Sequence, residues 1–225
     1  MLPDEREALA YELASESFEL YVPGTLEPGA AAAGLIWVSA GGDGAPPRAW
    51  AAVLDRLHVT WIGANGSGNR RSPADRVNLA LDASAHLRGL LGDHPDLYVG
   101  GFSGGARIAS EAALLYPDVF SGGLFVGAAD YFRFVRSSDP RWSAWEPTFP
   151  PPSRALLQLP RTRGRYLLFS GDRDSNRTLV RDVHRAMLED GIAAAEYLEI
   201  PDLGHEMPSA PLFERALVRL LSGVD

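Results

Sequence analysis

Short apolar runs alternate with longer amphipathic stretches along most of the chain. "SFELYVP" at residues 17–23, "GLIWVSA" at 34–40, "HVTWIGA" at 58–64, "LYVGGF" at 97–102, "GGLFVGA" at 122–128, "RYLLFSG" at 165–171 and "AAEYLEI" at 194–200 read as about seven strands. Several are apolar at nearly every position, as strands covered on both faces are. Between them, residues 47–57, 73–91, 105–116, 176–190 and 210–222 read as helices, with proline or glycine at most of their ends. This alternation predicts an α/β protein on a doubly wound, mainly parallel sheet flanked by helices. Residues 130–163 break it. They are rich in Pro and Arg and carry Phe132, Phe134, Trp142, Trp145 and Phe149. So many aromatics mark an excursion between two strands rather than a linker.

Length and composition narrow the picture. At 225 residues the chain suits a single domain spanning 1–225. Hydrophobic residues make up 46%, too many for a disordered chain. The net charge of -8 gives no electrostatic basis for a nucleic-acid or anionic-membrane partner. There is no cysteine, which removes disulfides, thiolate metal sites and a cysteine nucleophile. All 21 basic residues are arginine, which removes Schiff-base chemistry, a Ser-Lys dyad and a Walker-type phosphate loop. The opening "MLPDEREALAYELASES" is acidic and lacks the basic and apolar regions of a secretory signal, so a cytoplasmic location is expected.

The candidate chemistry sits in "LYVGGFSGGARIASEAALLYP" at residues 97–117, where an apolar run meets an alanine-rich helix through Gly-Phe-Ser-Gly-Gly. A nucleophilic serine at a sharp strand-to-helix turn needs small neighbours two residues either side, and Gly101 and Gly105 flank Ser103 in that way. The helix start also aims free backbone N–H groups where a tetrahedral oxyanion forms, and the N–H of Gly104 is the natural first donor. A serine hydroxyl needs a base, and of the five histidines only His205, in "PDLGHEMP", follows a strand onto the carboxyl edge of the sheet. His58, His86, His94 and His184 fall at strand starts, within helices or at the opposite edge. The base in turn needs a carboxylate. "SGDRDSN" offers Asp174, preferred because the loop must first turn away from its strand, with Asp172 and Asp130 as alternatives. "SAGGDGAPP" supplies Gly41 and Gly42 for the second oxyanion donor. Arg70 and Arg71 leave a strand at the same edge, as a contact for a substrate carboxylate or as a solvated pair.

With the order Ser103, Asp174, His205, the chain resembles the α/β-hydrolase superfamily. Within it, the resemblance is to small bacterial serine esterases of the polyhydroxybutyrate-depolymerase and feruloyl-esterase-like type, and to compact carboxylesterases and acyl-thioesterases. "FELYVP", "LIWVSAGG", "GFSGGARIASEAALLYPDVFSGG", "FSGDRD" and "GHEMP" carry it. The resemblance implies a doubly wound sheet, Ser103 as nucleophile, His205 as base, Asp174 as its orienter, and no metal or organic cofactor. It departs where many relatives have His-Gly before the oxyanion loop and this chain has Ala40-Gly41. The expected function is hydrolysis of a small-molecule carboxylic ester or thioester through an acyl-serine. Acyl transfer or cyclisation by the same triad is the alternative, and a non-catalytic binding protein on the same fold the rival from another class. The aromatics of 130–163 either cap the serine or pack the excursion against the body.

Overall fold

The computed structural model describes residues 11–24, 33–92, 95–141 and 143–222; His94 and Trp142 lie outside the described residues. Along the chain come strands β1 (Phe18–Tyr21), β2 (Ala33–Val38), β3 (Val59–Ala64), β4 (Leu97–Phe102) and β5 (Gly122–Val126). Next is a small antiparallel pair, β6 (Val135–Arg136) and β7 (Ala144–Trp145), then β8 (Arg165–Gly171) and β9 (Ala195–Ile200). The helices are α1 (Ala51–Leu57), α2 (Pro73–Leu91), α3 (Gly104–Leu115), α4 (Gln158–Thr162), α5 (Arg177–Glu189) and α6 (Ala210–Ser222). The main sheet has seven strands in the order β1-β3-β2-β4-β5-β8-β9, all parallel except β1 against β3. The mainly parallel sheet expected from the hydrophobic pattern is therefore present. What periodicity did not predict is β6, β7 and α4, which are too short to display a period.

Connectivity places the site. From β2 the chain adds β3 on one side, then crosses back through α2 to add β4 on the other, so the direction of sheet growth reverses between β2 and β4. Such a switch opens a crevice at the carboxyl ends of the two strands. α2 begins cleanly there: the Ser72 side chain accepts the N–H of Asp75 at 3.1 Å, and Pro73 fits the first helical position because its missing N–H is not needed.

The two faces of the sheet are packed differently. On one, α2, α3 and α5 cover Ile36, Ile62, Val99, Phe125 and Leu168. Ala106, Ala109, Ala112 and Ala113 of α3 are fully buried there, and their small size lets that helix lie close over β4 and β5. On the other face α1 and α6 cover a tryptophan cluster. Trp37 stacks on Trp61 at 5.0 Å between ring centroids, and Trp50 stacks on Phe213 at 3.7 Å. Both buried indole N–H groups that need partners have them: Trp61 donates to the Gly44 carbonyl at 2.8 Å and Trp50 to the Pro208 carbonyl at 3.1 Å.

The excursion is clamped to the body. Tyr131, Phe132 and Phe149 join the core on the α3 and α5 side, while Phe134 stays exposed. The fully buried Asp182 of α5 accepts the Ser138 N–H at 2.7 Å and the Trp145 indole N–H at 3.0 Å. No helix among the described residues is long and apolar enough to cross a membrane.

Candidate active site

Ser103 stands between the end of β4 and the start of α3 with φ 54° and ψ -121°. A non-glycine residue in that region stores roughly 1–3 kcal/mol and persists only where its surroundings impose it. They do so here. The Ser103 N–H donates to the Val126 carbonyl at 2.8 Å, tying the turn to β5. A Cβ on Gly101 would strike the Gly105 backbone, and one on Gly105 would strike the Val38 carbonyl, so both flanking glycines are set by close approach of α3 to β4 and β2. The N–H of Gly104, in the first turn of α3, has no acceptor among the described residues.

His205 reaches Ser103 from the loop after β9. Its Nε2 lies 2.8 Å from Ser103 Oγ, and its Nδ1 lies 2.9 and 3.0 Å from the two carboxylate oxygens of Asp174. The Asp174 side chain is nearly sealed from solvent at 2%, whereas that of His205 is 32% exposed. Asp174 Oδ1 also accepts the Asn176 N–H at 2.7 Å. The Phe102 ring lies 4.9 Å from the imidazole and shields one side of it. Of the three carboxylates considered from sequence, Asp174 is the one beside His205. Asp172 instead accepts the Asp202 N–H at 2.8 Å, joining the loop after β8 to the loop that carries His205. Asp130 pairs with Arg107 and receives no contact from His205.

The loop after β2 is the other candidate part of the site. Gly41 and Gly42 lie in it, and their N–H groups turn back to Ser39 Oγ at 3.2 and 3.0 Å. The loop after β3 is zipped onto it: Gly66 N–H donates to the Gly42 carbonyl at 2.7 Å, and Asn69 N–H to the Ala40 carbonyl at 3.0 Å. Beneath both lies Arg76, only 5% exposed, with no carboxylate partner among the described residues. Its guanidinium donates to the carbonyls of Ser67 at 2.6 Å, Ser39 at 3.2 Å and Gly104 at 3.1 Å. One buried cation thus fastens both loops and the residue after Ser103. Burial lowers its pKa below the ordinary arginine value. Arg71 is occupied elsewhere, gripping Glu16 at 2.6 and 2.9 Å beneath the Tyr11 ring, while Arg70 lies exposed.

Sequence reasoning passed over Arg76, although it shares a helical stripe with the buried Ala80, Ala83 and Leu87. A charge on an apolar stripe was the available signal. Gly127 was also missed. It has φ 69°, and a Cβ there would lie 3.2 Å from Asp174 Oδ2, His205 Cε1 and Phe102 Cε2, so its bareness makes room for the pair. Asn176 donates from Nδ2 to the Gly127 carbonyl at 3.0 Å and closes this corner. A cavity of about 180 Å³ lies between the excursion and α5, lined by Arg107, Trp145 and Asn176 but by neither Ser103 nor His205. The excursion aromatics mostly pack against the body, and Ser103 and His205 keep contact with solvent.

No known protein family and no curated protein matches the chain in sequence. Among solved structures it is similar to the poly(3-hydroxybutyrate) depolymerase LpqC of Bordetella parapertussis, with a TM-score of 0.65 and 15% identity over 98% of this chain and 87% of that one. It is also similar to Est1E of Butyrivibrio proteoclasticus, at a TM-score of 0.60 and 14% identity over 91% and 92% of the two chains. Zea mays acyl-protein thioesterase 2 superposes with a TM-score of 0.54 and 17% identity over 92% of this chain and 99% of that one. Identities this low speak for architecture rather than activity. The seven-stranded, mostly parallel sheet with helices on both faces is the α/β-hydrolase fold.

Proposed function

We propose that the protein is a serine hydrolase that cleaves a carboxylic ester or thioester through an acyl-serine intermediate. The observation that carries this reading is the unbroken line of hydrogen-bonding atoms from the Asp174 carboxylate through His205 to Ser103 Oγ, on a backbone held in an unfavourable conformation. Ser103 Oγ attacks the carbonyl carbon, its proton passes to His205 Nε2, and the carbonyl π pair moves onto oxygen. The Gly104 N–H and a second donor from the loops after β2 and β3 hold that charge. Collapse breaks the bond to the alkoxide or thiolate, which departs with the proton from His205. Water then adds to the acyl carbon, again losing a proton to Nε2, and Ser103 leaves with that proton as the carboxylic acid is released. Asp174 keeps the Nδ1–H directed at itself and stabilises the imidazolium formed in each step.

The solvent access of Ser103 and His205 favours water as the acyl acceptor over the transfer or cyclisation alternative. The esterase and thioesterase names of the structural neighbours support acyl chemistry in general. The test is labelling with a fluorophosphonate, which reacts with an activated serine, followed by mass spectrometry of the digest. The expected result is one adduct on Ser103, absent from His205→Ala, together with turnover of short p-nitrophenyl esters or acyl thioesters. A folded protein that gives neither adduct nor turnover sinks the reading.

A further inference from the structure

The second oxyanion donor is the unfilled part of this site. The N–H groups of Gly41 and Gly42 are turned onto Ser39 Oγ. Across from them, the side chain of Asn69 lies directly against Gly104, the residue whose N–H opens the hole. Asn69 Oδ1 is the atom nearest the point where a Cβ on Gly104 would be, with Cγ and Nδ2 2.7 and 2.8 Å from it, so the carboxamide occupies the space of the side chain that Gly104 lacks. The placement is enforced from the backbone. Asn69 N–H is bonded to the Ala40 carbonyl, and the neighbouring Gly68 packs so tightly on Gly41 and Gly42 that a Cβ there would lie 3.1 to 3.2 Å from their backbone. Arg76 anchors this loop and the Gly104 carbonyl together. Yet the carboxamide itself, exposed at the crevice, makes no hydrogen bond with any described residue.

An amide with idle donors, carried on a loop fixed through its backbone and packed on the residue after the nucleophile, is placed to meet a developing negative charge once its NH₂ is turned towards it. We infer that the Asn69 Nδ2–H₂ group is the side-chain donor of the oxyanion hole, completing it with the N–H of Gly104. Rotation about χ2 exchanges Oδ1 and Nδ2, so the NH₂ turns to the oxygen as it becomes anionic. The same contact explains the bareness of Gly104: a side chain there would expel the carboxamide.

This inference rests on the acyl-serine reading, and the experiment separates the two. Wild type, N69A and N69D are compared on p-nitrophenyl acetate and against an aryl trifluoromethyl ketone, which Ser103 converts to a hemiketal oxyanion. The expected result is a loss of about 10²-fold in kcat for N69A with KM little changed, and a matching loss of affinity for the ketone. N69D keeps the shape of the side chain but faces the oxyanion with a carboxylate, so it falls at least as far; a packing role alone would leave it near wild type. Thermal melts show whether each variant is folded, and N69D tests the inference even if N69A is not. Kcat of both variants within threefold of wild type overturns the inference and returns the role to the backbone of residues 40–42. Inert wild type that takes no fluorophosphonate overturns the hydrolase reading, and the inference with it.

Discussion

The two sides of Ser103 are built by different means. On the base side, side chains do the positioning: the buried Asp174 carboxylate holds His205 by both oxygens, and the imidazole meets Ser103 Oγ. On the oxyanion side, backbone carbonyls do it: Ser39, Ser67 and Gly104 converge on the single guanidinium of Arg76. On the proposed reading the base side is a relay whose parts each have a chemical task, so its loss is expected to silence chemistry without loosening the fold. The oxyanion side is a joint between three segments. Its loss is expected to be felt in chemistry and in stability together, because the hydrogen bonds that tie Ser39, Ser67 and Gly104 to one another through Arg76 go with it.

Substitutions of decreasing effect break this contrast or sharpen it. Ser103→Ala is expected to lower kcat by about 10⁴-fold or more, with Asp174→Asn approaching it, while urea melts stay close to wild type. Substantial unfolding of either would erase the distinction. Arg76→Met is expected to cost about 3 kcal/mol in a urea melt and to depress turnover as well. Arg76→Lys, with fewer reachable carbonyls, should recover stability more than activity. Gly127→Ala probes the tight corner of the base side: a Cβ at φ 69° costs about 1–2 kcal/mol and presses Asp174 and His205 apart, so kcat falls about tenfold or more. The smallest effect lies outside both sides. Burial on α3, and secondarily the nearby Asp130, raise the Glu111 pKa to about 7. The folded state then holds a proton that the unfolded chain has released between about pH 4.5 and 7, so stability declines as pH rises through that window. Glu111→Gln should remove the decline and add about 1–2 kcal/mol at pH 8, with little change at pH 4. Parallel pH–stability curves for the two proteins would refute the assignment.

The same contrast governs what the chain reveals before it is folded. Strands and helices followed from apolar runs and end signals, and α2 and α6 fall on residues 73–91 and 210–222 as read from the sequence. The base side was legible because its parts are chemically distinctive side chains at the ends of recognisable strands. Only the choice among Asp130, Asp172 and Asp174 needed coordinates, since which of two carboxylates two positions apart points inward depends on a turn. The oxyanion side was largely illegible. The glycines at 41 and 42 marked its place, but the direction of their N–H groups depends on the hydroxyl of Ser39. Asn69 approaches Gly104 across 35 residues of chain through no pattern that periodicity records. Gly127 has its reason entirely in three neighbours that meet around it.

The stacked tryptophans have a use beyond packing. Trp37 and Trp61 are close and nearly parallel, so their transitions couple excitonically, and Trp50 completes the group from 5.5 and 6.0 Å. The Trp50 indole is also bonded to the Pro208 carbonyl, in the same loop as His205. An optical reporter is therefore tied to the segment carrying the imidazole, and any shift of that loop would register as a change in near-ultraviolet dichroism without any label.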